Sequence, residues 1–290
     1  MSESIETTIR VRAKDLLEQE EVSCVIGYER GPRRDVRPAF VYQAEDAERL
    51  VWNQECSHNL MVYLHDRKRP LRKGEEPPRI AIVAKPCDVR ALNVLLHEEQ
   101  VARERVFVIG IACSGMWEDS EGSELQARCQ RCKERVPVLY DTLVGEPPEV
   151  EDVEEDWADL AELEAMTAQE RLAFWVKEFQ RCIRCYACRQ ACPGCYCYEC
   201  VAEQVDPAWV EIAIDLPEVF FYHVMRAYHL AGRCVECDAC ERACPVGIPL
   251  SLLNRKIAKE VADLFDYQTG GDPETPPPLA TFKRDEDLPL

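Results

Sequence analysis

Two stretches of this 290-residue chain carry cysteines at spacings that can do chemistry. Residues 181–193 read RCIRCYACRQACP, and 52 residues later 233–245 read RCVECDACERACP. Both copies are C-x2-C-x2-C-x3-C-P. In this pattern three closely spaced thiolates wrap one face of a [4Fe–4S] cube, and the proline turns the fourth cysteine toward the other cube. The spacing therefore predicts one cube on Cys182, Cys185, Cys188 and Cys244, and a second on Cys234, Cys237, Cys240 and Cys192. The competing reading is a pair of zinc sites. Zinc ligands usually come as two separated CxxC pairs around one tetrahedral ion, which this repeat fits poorly.

A third constellation lies in the first half. Lys85-Pro86-Cys87-Asp88 follows the apolar run Ile80–Ala84, and Cys113 ends the run Val106–Ala112. If the two runs are parallel neighbouring strands, both cysteines emerge at one carboxyl edge. Cys87 then sits near a helix N-terminus, which favours thiolate. Cys129 and Cys132 follow on a loop able to fold back over that edge. Four thiolates can converge there, with zinc or unligated core cysteines as the alternatives. Cys195, Cys197 and Cys200 complete no ligand pattern; packing or surface thiols, or an extra site with Cys24 or Cys56, are the readings open to them. His58, His65, His97, His223 and His229 show no ligand or triad spacing, and structural or surface roles are expected. Tyr186 and Tyr196 are expected to shield the clusters from water. Neither a G-x-G-x-x-G nor a G-x-x-x-x-G-K-[ST] occurs, so no Rossmann or P-loop nucleotide site can be read.

The elements that must position these residues follow from periodicity. Residues 9–20 read as a polar helix, and Val22–Tyr28 with Val36–Tyr42 as a strand pair around Gly31-Pro32. Asn59–Leu64 reads as helical, and the basic, proline-bearing Arg69–Pro78 as a loop. Ile80–Ala84, a helix over Asp88–Glu99 with Asp88 as N-cap, and Val106–Ala112 make a βαβ unit, hence a partly parallel sheet. Ten carboxylates and no Lys or Arg occupy Glu146–Glu164. This stretch reads as a solvated linker or a dock for a basic partner, with Pro147-Pro148 marking a domain boundary. Thr167 to Glu170 fits a capping box opening a helix with Leu172, Trp175, Val176 and Phe179 on one face. Val219–Leu230 and Leu250–Phe265 are further helices. The tail from Tyr267 should be extended, either loose or laid across another surface.

Composition narrows the classes. With 35 Lys and Arg against 54 Asp and Glu the net charge is −19, which argues against nucleic acid or an anionic membrane as partner. Hydrophobic residues at 47% suffice for a core. No run approaches a membrane span, and the first residues have no basic, apolar leader, so a cytoplasmic location is expected. Seventeen cysteines in such a compartment are more plausibly ligands than disulfides.

Gly232–Leu253 resembles the helical dicluster domains of heterodisulfide reductase and anaerobic sulfite reductase iron–sulfur subunits. Residues 50–145 resemble the coenzyme F420 hydrogenase/dehydrogenase beta-subunit family, which has a Pro-Cys after a strand, a Gly-x-x-Cys at the next strand end and a later CxxC. The resemblance implies that Cys87, Cys113, Cys129 and Cys132 hold a third [4Fe–4S] cluster. Members of that family also bind FAD, and some reduce F420. This chain departs from the family in its short first half and in placing the ferredoxin repeat after the matching domain, which bears on the flavin. The expected architecture is an α/β N-terminal domain with a partly parallel sheet (1–150), a mainly α-helical dicluster ferredoxin-like domain (151–266) and a tail (267–290). The expected function is single-electron relay within an anaerobic oxidoreductase complex. Its partner would be a hydrogenase, a formate dehydrogenase or a heterodisulfide-reductase-like flavoprotein. The alternative is a flavin-bearing subunit that itself oxidises or reduces F420, NAD(P)H or a similar carrier. A zinc-stabilised scaffold without redox work is the third class.

Overall fold

The computed structural model describes residues 4–33, 35–65, 78–118, 122–149 and 157–278. Its first half is built on a five-stranded sheet in the order β2-β1-β3-β4-β5. The strands are β1 (Cys24–Arg30), β2 (Val36–Val41), β3 (Ile80–Ala84), β4 (Val106–Ile111) and β5 (Thr142–Val144). β1 and β2 pair antiparallel, with Val25 opposite Val41. The remaining neighbours are parallel, and Ala84 stands opposite Gly110 where β3 and β4 end together. All six β4 residues are buried, so a continuous apolar run without alternation is what a central parallel strand requires.

Helix α1 (Ile5–Glu18) starts four residues earlier than its periodicity suggests, because Ser4 caps it by accepting from the Thr7 N–H. Helix α2 (Pro86–His97) corrects a second expectation. Asp88 is not its N-cap but its third residue, where its carboxylate accepts the Lys85 backbone N–H at 3.0 Å, and Pro86 takes the first helical position. The expected helix at Asn59–Leu64 is a single 3-10 turn, Leu60–Tyr63, capped by the Asn59 side chain. The loop expected to carry Cys129 includes one helical turn, α3 (Ala127–Gln130).

Among the described residues no strand follows Val144. The second half comprises α4 (Ala158–Ala165), α5 (Ala168–Phe179), the one-turn α6 (Ala187–Gln190), α7 (Leu216–His229), the one-turn α8 (Ala239–Arg242) and α9 (Leu250–Phe265). The capping box at α5 forms, with Thr167 and Glu170 each accepting the other's backbone N–H. Leu172 departs from the expected apolar face and is exposed, while Phe179 is buried. Around Phe179 gather Cys188, Val219, Tyr222, Cys240, Ile248 and Leu250 as a second core. The two halves share apolar packing, because Val235, Cys237 and Ala239 belong to the core of the sheet domain.

The start of the tail is laid across α2 rather than loose. Arg90 Nε donates to the Thr269 carbonyl and Asn93 Nδ2 to the Gly270 carbonyl, both at 2.9 Å. At Gly270, where φ is +66°, a Cβ would stand 2.1 Å from the Arg90 carbonyl oxygen, so only glycine fits. Of the expected loop Arg69–Pro78 only Pro78 is among the described residues, and 150–156 of the acidic stretch and 279–290 of the tail lie outside them. Among the described residues no helix is long and apolar enough to cross a membrane.

Candidate metal centres

The parallel pairing of β3 and β4 puts their following segments side by side. Cys87 lies in the first turn of α2, Cys113 just beyond β4, and Cys129 and Cys132 on and after α3. All four line one cavity of about 100 Å³. Backbone amides face two of the sulfurs. The Gly115 N–H donates to Cys113 Sγ at 3.4 Å and the Met116 N–H to Cys129 Sγ at 3.3 Å. Arg128, itself buried, stands with Nη1 3.7 Å from Cys87 Sγ. Burial pushes the Cys87 thiol well up, and raises Cys113 and Cys132 as well.

Lys85 forms the floor and is 1% exposed. Its Nζ lies 2.8 Å from Asp88 Oδ2 and donates to the His58 carbonyl at 2.9 Å and to the Tyr28 hydroxyl. A buried ammonium survives only with such partners. Arg90, Arg131, Lys133 and Arg135 also line the cavity, with Glu134 and Glu236 among them; Arg90 pairs with both carboxylates and Arg131 with Asp238.

The two repeat copies adopt the same backbone. Arg184 and Tyr186 have left-handed φ values of 50° and 58°, and their counterparts Glu236 and Asp238 have 55° and 52°. Each copy then enters a one-turn helix, α6 or α8, and these pack on each other. Cys182, Cys185, Cys188 and Cys244 line one small cavity. Cys192, Cys234, Cys237 and Cys240 line another. The fourth cysteine of each copy thus stands with the first three of the other.

Their surroundings differ. Around the first copy, His223 Nε2 lies 3.3 Å from Cys182 Sγ, the Tyr222 hydroxyl 3.8 Å from Cys188 Sγ, and the Arg184 and Ile248 amides donate at 3.4 Å to Cys182 and Cys244. Burial lowers His223 to about 3, so its ring is neutral at ordinary pH. Around the second copy, Asn254 Nδ2 donates to Cys240 Sγ at 3.4 Å. Arg255 pairs with Glu236 at 3.0 Å and with Asp159, while Arg131 reaches across from the first half to Asp238 at 2.7 Å. Burial pushes Cys240 up to about 12.

The three cavities form a row. Val235 and Arg255 line both the first-half cavity and that of the second copy. Arg128, which lines the first-half cavity, also stands within electrostatic reach of Cys237 in the second-copy cavity. The first-copy cavity follows through the packed α6 and α8. Among the described residues no three His, Cys, Asp or Glu side chains converge closely enough to share a single metal ion.

Sequence reasoning missed Lys85, Asn254 and His223. The structural role expected of the histidines holds for His223, the eighth residue of an amphipathic helix, but its contact with Cys182 has no motif to mark it; only its place on the same helical face as Val219, Tyr222 and Arg226 could have pointed inward. Tyr186 does line the first-copy cavity, whereas Tyr196 stacks edge-on against His65 and under Arg233.

No protein-family model matches the chain. It is similar to the F420-dependent formate dehydrogenase subunit beta of Methanocaldococcus jannaschii, at 23% identity covering 91% of each chain. It is also similar to the F420-dependent formate dehydrogenase 1 subunit beta of Methanococcus maripaludis, at 24% identity covering 92% of this chain and 91% of that one. The first alignment runs over 360 positions against 290 residues here, so at least 70 positions have no counterpart in this chain.

Proposed function

We propose that this chain is an electron-relaying iron–sulfur subunit of a formate-dehydrogenase-type oxidoreductase complex. Two [4Fe–4S] clusters are held by the repeat with crossed ligation, and a third by Cys87, Cys113, Cys129 and Cys132. The observation that carries the reading is the row of three cavities, each lined by four cysteines. Each thiolate of a cube binds a different iron, so sulfurs spread around a cavity suit a cluster better than a single zinc ion, whose ligands must all reach within about 2.3 Å of one centre. Iron would supply the positive charge that lets buried, otherwise protonated thiols ionise. The clusters bring one-electron chemistry. The chain's own residues position the thiolates, exclude water and set the potentials through amide, His223 and Asn254 contacts to sulfur.

A flavin-bearing subunit acting directly on F420 or NAD(P)H is the second reading. The names of the relatives favour it, and the basic residues around the first-half cavity would suit an anionic carrier. Anaerobically purified full-length protein separates the two. At least about 12 Fe per chain without acid-extractable flavin is expected. Stoichiometric flavin moves the assignment to the second reading, and iron below about 8 per chain rejects the relay.

A further inference from the structure

Cys195, Cys197 and Cys200 belong to none of the three cavities. They line a fourth, of about 30 Å³, close in size to the two repeat cavities at about 20 Å³ each. Its walls are Arg189 from α6 and Tyr222, Met225, Arg226 and His229 from α7. Cys24 and Cys56, the partners considered from sequence, lie in the core of the sheet domain instead.

Two buried cations face this space with donors unspent. Arg189 is 6% exposed and its Nε and Nη1 have no hydrogen-bond partner; Arg226 is 5% exposed and its Nε has none. Glu203 meets one arm of Arg189, and the Cys188 carbonyl meets one arm of Arg226. A guanidinium cannot discharge by losing its proton, so its remaining buried donors call for further negative charge. Cys195, whose thiol is drawn down by its contacts with Cys192 and Arg226, supplies one such charge against two guanidiniums, whereas three metal-bound thiolates would supply more.

We propose that Cys195, Cys197 and Cys200 hold a further [4Fe–4S] cluster, with its fourth iron toward His229 and its negative charge met by Arg189 and Arg226. The proposal rests on the reading of the second half as an iron–sulfur domain. The three sulfurs do not converge on a single-ion position. A cube has no such need, because each thiolate takes its own iron. The site adjoins the row, sharing Gly194, Leu230 and Arg233 with the second-copy cavity and Tyr222 with the first-copy cavity. It is therefore a side branch: an electron leaving the cube of Cys192 reduces it, the one being oxidised as the other is reduced.

The test compares anaerobically purified full-length protein with the double variant Cys197→Ser, Cys200→Ser. The readouts are iron, sulfide and zinc content, and the low-temperature resonance of the reduced clusters. Iron and sulfide should each fall by about 4 per chain, with the remaining resonances retained. The difference is read, not the total, so a chain lacking the first-half cluster still decides the matter. Failure of the second-half reading shows separately, as a Cys192→Ser chain that loses no iron. Unchanged iron in the double variant, or loss of one zinc in place of about four iron, overturns the proposal. Alkylation of the fully loaded wild-type chain is independent of any variant's folding. Cys197 is exposed, yet it and Cys200 should resist modification until iron is chelated. Modification of both with iron intact overturns the proposal as well.

Discussion

The two copies of the cysteine repeat have the same backbone and unlike neighbours. Left-handed residues fall at matching positions, and each copy turns into a four-residue helix. Yet Cys182 and Cys188 face an aromatic wall of Phe179, Tyr222 and His223, with the two rings of Phe179 and His223 stacked at 4.6 Å. Cys234, Cys237 and Cys240 lie under a lattice of charges in which Glu236 and Asp238 are each tied to an arginine from elsewhere in the chain. Local sequence sets how a cysteine loop wraps. The residues brought in from α7, α9 and the sheet domain set the field around it. Clusters bound at two sites of one design would therefore differ in potential, as the proposed relay needs.

The largest effect that probes this comparison is loss of a whole cluster. Cys192→Ser is expected to remove about 4 Fe and to abolish the signal of the cluster on Cys234, Cys237 and Cys240, leaving that on Cys182 intact. Damage confined to the Cys182 cluster would replace crossed ligation with ligation inside each copy. Next in size is Arg255→Leu, which acts on the charged side only: it takes the arginine from Asp159 and the nearer of two arginines from Glu236, Arg90 remaining at 3.7 Å. Because Glu236 and Asp159 keep some solvent, the cost is about 2–3 kcal/mol rather than that of a fully buried pair. It should show as a lower urea midpoint of the anaerobic holoprotein, and an unchanged midpoint would remove this lattice from the stability of the second copy.

Protonation sharpens the contrast. In the cluster-free chain burial raises the Cys182, Cys188, Cys234 and Cys240 thiols, Cys240 to about 12. Raised values mean that the folded form favours SH. That stability is whole below the ordinary thiol value of about 8.5 and is lost as pH climbs toward 12. The apo chain should therefore have a lower urea midpoint at pH 10 than at pH 7.5. Cluster assembly, which needs thiolates, should release protons and weaken in acid. Equal apo midpoints at the two pH values would contradict the buried-thiol picture. The smallest effects are on potential. His223→Leu and Asn254→Leu each remove one donor to sulfur, which favours the more negative reduced cluster. Each should lower the potential of its own cluster by tens of mV, about what a net hydrogen bond of 1 kcal/mol is worth to a one-electron couple. A shift in the other copy's cluster would mean that the donors are wrongly apportioned.

Much of this was legible in the sequence because the repeat encodes its own local geometry. C-x2-C-x2-C-x3-C-P is short-range information, and the structure places Cys192 and Cys244 in the cavities that the crossed pattern expects. Strands β3 and β4 were equally plain as uninterrupted apolar runs. What escaped was long-range. Lys85 has no role in the sequence pattern, and only the fold buries it between Tyr28 and Asp88. His223 needs the facing of α7 to be known before it can be placed against Cys182. Even the N-cap expected at Asp88 lies three residues past the real one at Lys85, since Pro86 opens the helix and Asp88 reaches back to the Lys85 N–H. The division at residue 150 also understates the association, because Val235 and Cys237 pack into the sheet domain.

The exchange of Cys192 and Cys244 between the two cavities has a topological meaning. With clusters in place, each cube fastens two places far apart in the chain, and both fastenings enclose the same stretch, 193–233. The pair acts as interlocked staples rather than as two separate knots. Closing a loop of several tens of residues removes about 4 kcal/mol of unfolded-chain entropy on the disulfide scale. Losing one cube would leave the enclosed helix α7 still tethered by the other. The first oxidative loss should then be repairable in place, and only the second would free the whole segment to unravel.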